Sequence, residues 1–196
     1  MGAIKPITTA HPFFALMFLE RELYDLAINR IREKYGEIMG AGPVFRVSDF
    51  TDYYEKEFGK ELQKQFFVMK EPIDLQDFAK VKIWSNELET ETAKSDSGRL
   101  ARTIDLDPGY LEPSKLVLYS TKNFSHRVFV TDGIFGEVTM IYEHGKFKFL
   151  PWTYPDYSSD ENVKFLMAMR DGIVRAGRDI LRKDLSGVFI HQPFNK

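Results

Sequence analysis

The dipeptides Asp132-Gly133 and His144-Gly145 break the most strand-like part of the chain into three short apolar runs, and no other feature restricts the fold as much. Asp-Gly between two such runs favours a two-residue hairpin, because both central positions need positive φ. Residues 125–131 and 134–142 are therefore expected to pair antiparallel, with residues 146–150 returning as the third strand of a meander. Placing Thr131 opposite Ile134 sets Val128 against Glu137 and His126 against Thr139. One face of this ribbon then carries His126, Glu137 and Thr139. The other carries Phe129, Val138, Met140, Phe147 and Phe149 and is the expected core face.

Residues 13–18 read as a buried strand, followed by a helix over residues 20–35 with Leu23, Leu26, Ala27 and Ile31 at helical spacing and Gly36 as its stop. Residues 44–47 resemble a strand, and residues 53–58 and 62–69 read as the arms of a hairpin around Gly59. A second helix is expected after Asp74, running through Leu75, Phe78, Ala79, Ile83 and Leu88 to about Thr92, ahead of an exposed loop at residues 94–98. Asp107-Pro108-Gly109-Tyr110 has Pro and Gly where a type II turn needs them, so a chain reversal is expected there. Residues 115–121 have strand composition, with a short helix after Ser114 as the alternative. A third helix from Asp160 aligns Val163, Leu166, Met167, Ile173, Val174, Ile180 and Leu181, and residues 188–190 read as a short closing strand. With no repeat, linker or low-complexity segment, this order predicts a single α+β domain over residues 1–196. It is a mostly antiparallel sheet with a C-terminal meander, packed by about three helices in a decorated ferredoxin-like arrangement.

Composition narrows the function classes. With 17 Phe and 9 Tyr, large rings supply much of the buried area. Cysteine is absent, which removes disulfides and thiolate metal sites and fits the cytoplasm. The apolar run at residues 12–19 is far shorter than the roughly 20 residues of a membrane span, and the opening residues carry no cleavage or acylation pattern, so no membrane partner is expected. A net charge of −2, from 27 basic and 29 acidic residues, provides no overall field for DNA. The basic stretch at residues 175–183 reads as a solvated helix face.

Three constellations could carry chemistry. In the hairpin, His126 and Glu137 come within reach of each other, as an acid/base pair, as ligands of a hard divalent ion, or as a plain polar pair on a wet face. On the second helix Trp84, Glu87 and Glu91 share one side with Asn86 beside them, giving an acidic surface or the wall of a cleft. Around residues 105–110, Asp105 and Asp107 stand among Arg102, Lys115, Lys122 and Arg127, a mixture that suits a phosphate with a bridging magnesium ion or a set of surface ion pairs. Phosphate-loop, dinucleotide, zincin and nucleophile-elbow motifs are all absent, and the four histidines are scattered.

The ordered series Asp49-Phe50-Thr51-Asp52-Tyr53-Tyr54, Trp84-Ser85-Asn86-Glu87-Leu88-Glu89, Asp105 to Tyr110, Lys115-Leu116-Val117-Leu118, Thr121-Lys122, His126-Arg127, Gly133-Ile134 with Glu137, and Trp152-Thr153-Tyr154-Pro155-Asp156-Tyr157 resembles the DUF4416-like family, a domain of unknown function found in bacteria and archaea. The likeness runs from about Phe13 into the third helix and implies no activity. A GTP-binding label, which some members carry, would need a phosphate loop that this chain lacks. The resemblance leads one to expect asparagine at Asp105 and threonine at Ser85.

Together these readings give a leading expectation: a phosphorylated small molecule or nucleotide is bound, or acted on, where the residue 107 turn meets the hairpin. Arg102, Asp105, Lys115, Lys122, Arg127, Trp84 and Asn86 would contact the ligand, Asp107, Glu137 and Glu87 would hold a divalent ion such as magnesium, and His126 with Glu137 would move protons. The alternative is a non-enzymatic module using Tyr53, Tyr54, Trp152, Tyr154 and Tyr157 to anchor a protein or single-stranded RNA. A third is dimerisation through a free sheet edge.

Overall fold

The strand β1 (Thr9–Phe18) contains Phe13, Phe14, Ala15 and Leu16, all at 0% exposure. Consecutive residues of a strand point to opposite faces, so a strand buried at every position needs cover on both sides. In the computed structural model, which describes residues 8–96 and 99–188, that cover is three long helices.

The elements follow in order. Helix α1 (Arg21–Tyr35) ends at Gly36, whose φ of 84° lets its N–H bond Arg32 O. Then come β2 (Ile38–Ala41), β3 (Phe45–Arg46), the single-turn α2 (Glu55–Phe58), β4 (Gln63–Met69), β5 (Ile73–Asp74) and α3 (Phe78–Thr92). The second half comprises β6 (Lys94–Asp96), β7 (Arg99–Ala101), β8 (Ile104–Glu112), β9 (Lys115–Ser120), β10 (Val128–Thr131), β11 (Ile134–Glu143), β12 (Lys146–Phe149) and α4 (Asp160–Val188). Ten strands form one antiparallel sheet along the path β10-β11-β9-β8-β1-β4-β2, with β12, β3 and β5 attached to β11, β4 and β1; β6 and β7 pair separately.

Within this sheet the order β8-β1-β4-β2, with α1 and α3 on one face, is the ferredoxin-like βαββαβ arrangement expected from the sequence. Phe14, Leu16, Phe67, Leu106 and Tyr119 meet those two helices. Phe13, Ala15, Phe66, Leu111 and Met140 face the other way, where Leu166 and Ile173 of α4 and the fully buried Tyr157 pack on them.

Several expectations change. Residues 107–110 are not a turn but the middle of β8. Gly109 is there for close approach, since a Cβ would lie 2.0 Å from Val117 O, and Pro108 pairs with Phe14 of β1 but has no partner in β9, so its missing N–H is tolerated. Residues 53–58 coil into α2 instead of a hairpin arm, and residues 94–96 pair with β7 instead of forming a loop; residues 97–98 lie outside the described residues. The meander is present, with Asp132 and Gly133 at φ 51° and 75°, but a bulge after Phe129 sets Val128 opposite Gly136. A second bulge beside Val138 turns that residue toward α3, leaving Met140 against α4. Phe129 and Phe149 are exposed, and Glu137 and Thr139, assigned to the less apolar face, are buried. Val188 closes α4, and residues 189–190 lie outside the described residues.

Candidate functional site

Strands β8 and β9 pair only over residues 109–112 and 115–118. Toward its start, β8 stays with β1, while Tyr119 and Ser120 stay with β11, so the sheet opens between them. An open sheet leaves backbone groups that need partners. At Leu106 they come from α3: its N–H donates to Glu89 Oε1 at 2.9 Å, and its carbonyl accepts from Lys82 Nζ at 3.2 Å. Both side chains are nearly buried, which explains two charges on the packed face of a helix.

The opening is a cleft of about 160 Å³ in which carboxylates and cations alternate. Arg102 grips Glu57 with two 2.8 Å bonds and reaches Asp105 at 3.2 Å and Glu89 at 3.8 Å. Lys82 lies 3.5 Å from Asp107 and 4.0 Å from Glu89. Burial pushes Asp105 up to about 7, helped by Asp107 and Glu89 and opposed by Arg102 and Lys82. Burial likewise raises Glu89, against the pull of Lys82 and the Leu106 N–H. The Glu57 hydrogen bonds and neighbouring carboxylates hold Arg102 firmly protonated.

Across the cleft, Glu137 Oε2 accepts from Arg127 Nε at 2.6 Å and from His126 Nε2 at 3.0 Å, while its Oε1 is buried without a partner among the described residues. Arg127 also donates to Ser120 Oγ, Lys122 O and Tyr154 Oη, so it braces the β9–β10 connection against the segment before α4. His126 stacks on Trp152 at 5.0 Å and 11°, and Trp152 Nε1 donates to Val138 O.

A cavity of about 430 Å³ adjoins the cleft and is walled by Phe50, Tyr53, Tyr54, Phe124, Tyr154 and Tyr157. At its base the buried Lys64 and Asp156 pair at 2.7 Å. Tyr53, Tyr54, Asp107, Lys122, Arg127 and Tyr154 line both spaces, which therefore form one two-chambered depression, charged on one side and aromatic on the other. Burial raises the hydroxyls of Tyr54, Tyr154 and Tyr157, and the charge of Asp107 adds to all three.

Of the residues singled out from sequence, Asn86, Arg102, Asp105, Asp107, Lys122, Arg127 and Glu137 line the cleft. His126 stands behind Glu137, outside both chambers' walls. Three others lie elsewhere. Lys115 is at the paired end of β9, bound to Glu112. Trp84 packs on Phe14 and Tyr35 toward α1. Glu87 is exposed and faces a separate depression beside Gly133. Among the described residues no group of three or more His, Asp or Glu is placed to hold a metal ion, so Asp107, Glu137 and Glu87 do not assemble. Sequence reasoning missed Lys82, Glu89 and Glu57. The signal for the first two was Lys82, Ser85 and Glu89 at helical spacing among buried apolar positions.

The chain matches the model of the Domain of unknown function (DUF4416) over residues 8–172 and belongs to that family. Every residue lining the two chambers falls within the matched span. No curated protein and no solved structure matches the chain.

Proposed function

We propose that this domain binds a phosphorylated small molecule of the nucleotide class, with the ring in the aromatic chamber and the phosphate at the mouth. The single observation behind the reading is the junction of a ring-walled cavity of about 430 Å³ with a rim that carries Lys122. Phe50, Tyr53, Tyr54, Phe124 and Tyr154, around the buried Tyr157, offer faces on which a planar ring gains contact area and edge or stacking geometry. Lys122 is exposed and has no ion-pair partner among the described residues, whereas Arg102, Lys82 and Lys64 are already bound to carboxylates. The phosphate therefore meets Lys122 first, with Arg127 behind it. Arg127 has one N–H left, because four of its donors act within the protein.

Calorimetric titration with AMP, adenosine and inorganic phosphate tests this. AMP should bind, adenosine should bind more weakly, and Lys122→Ala should shrink the difference between them by about threefold, the scale of one exposed charge contact. Absence of saturable AMP binding to the native protein at millimolar concentration would refute the reading.

A second reading, a protein-interaction module, is favoured by a different surface from the one expected. Tyr157 is buried and Trp152 is held by His126 and Val138, so those rings do not form a flat patch. The edge strand β10 instead exposes Val128 at 71% and Phe129 at 60%. A free apolar edge suits addition of a strand from a second copy. Light scattering on the native protein and on Phe129→Lys tests it: a native dimer that the variant dissociates supports this reading, and a native monomer ends it.

A further inference from the structure

We propose that Asp107 reads the edge of the ring that enters the aromatic chamber, and that this ring is a nitrogen heterocycle presenting an N–H donor. The inference rests on the nucleotide reading above and extends it by specifying the recognised edge. Among the described residues, Asp107 is the one carboxylate that lines both chambers. Its side chain is 33% exposed, Oδ1 lies 3.5 Å from Lys82 Nζ, and Oδ2 has no partner among the described residues. Asp156, the other acid of the aromatic chamber, is closed to a ligand because it is buried against Lys64 at 2.7 Å.

The surroundings of Asp107 sharpen the match. Tyr157, 1% exposed, forms the packed floor of the same chamber. Tyr54 and Tyr154 line both chambers together with Asp107, and their hydroxyls are the ones a ligand beside it meets. A carboxylate only accepts, and a hydroxyl both donates and accepts. The complementary edge therefore carries an N–H beside a ring nitrogen or carbonyl, as the pairing edge of a nucleobase does, while the tyrosine faces stack on the ring. An apolar ring would leave Asp107 without a donor, and one whose edge holds acceptors alone would set it against a lone pair, in either case in a partly desolvated site.

The test compares AMP with purine riboside 5′-monophosphate, which has the same sugar and phosphate but lacks the amino group. The native protein should bind AMP about fivefold or more tightly than the analogue, as expected for one hydrogen bond to a charged acceptor. Asp107→Asn should reduce this preference and Asp107→Leu abolish it, the leucine variant binding the analogue no more weakly than the native protein does because no carboxylate then faces its ring nitrogen, with circular dichroism confirming the fold. Equal binding of the two nucleotides by the native protein, or a preference that survives in both variants, would overturn the inference while leaving nucleotide binding in place. If neither nucleotide binds the native protein, the reading beneath it falls as well.

Discussion

The two ends of the β8–β9 pair are built from the same strands and behave as different materials. At the closed end the backbones hydrogen-bond to each other, and Leu111 and Leu116 are fully buried between sheet and α4. At the open end the backbone of Leu106 is satisfied by Lys82 and Glu89, and five acids and cations, Lys82, Glu89, Arg102, Asp105 and Asp107, fill the gap. Ladder hydrogen bonds make a sheet rigid but leave no room for a ligand. Side chains that stand in for an absent strand keep the sheet folded and leave a cleft beside it.

The strongest way to break this contrast is at the closed end. Gly109→Val forces a side chain into Val117 O and should cost at least about 3 kcal/mol in a denaturant titration, since backbone cannot yield as a side-chain tip can. Leu116→Ala should lose a similar amount, roughly 2–5 kcal/mol, through the cavity it leaves. Leu116 lines neither chamber, so any ligand bound by the folded Leu116→Ala protein should keep its affinity, whereas the Gly109 change also presses on Leu118 of the cleft.

A smaller loss is expected at the open end. Lys82→Met removes the donor to Leu106 O, the cation nearest Asp107 and one of the two beside Glu89, for roughly 2 kcal/mol. Unlike Leu116→Ala, it should also alter binding. An unchanged thermal midpoint would mean that the Lys82 bonds are not what holds the opened sheet.

Proton linkage sharpens the contrast further. Asp105 has a folded pKa of about 7, well above the ordinary aspartate value of about 3.9 that applies unfolded. Between those values the native state holds the proton and the unfolded state does not. This group's contribution to stability therefore falls as pH rises from about 4 to about 7, and is level outside that window. Asp105→Asn, which installs the amide the family resemblance leads one to expect, should raise the melting temperature at pH 8 by about 3 °C and change it little at pH 4. A variant with the same gain at both pH values would show that Asp105 is not the titrating group. The smallest effect belongs to Lys122→Ala, whose exposed side chain should change stability by less than about 0.5 kcal/mol in the same titration, despite its role in the proposed binding.

Much of this architecture was legible in the sequence. Apolar runs and helical spacing located β1, α1, α3, the meander and α4, because each has one strong periodic signal. The residue 107–110 segment misled because Pro-Gly has two uses: it turns a chain, or it removes a donor and a Cβ where strands meet or part. Only the tertiary setting decides between them. The His126–Glu137 contact was anticipated from a register the bulge then shifted; it survives because His126 lies beyond the strand and reaches back to Glu137. Residues such as Arg102 and Asp107 could be named as a charged group, but their division between structural pairing and an open rim depends on partners far away in sequence, Glu57 and Lys82 above all.

The most direct test of a ligand site between parted strands is a heteronuclear NMR titration of the native protein with AMP. Saturable shifts at Tyr53, Tyr54, Asp107, Lys122 and Tyr154, with Leu111 and Leu116 unmoved, are the predicted result. Shifts confined to other surfaces, or no saturable shift at these five residues, would contradict the account.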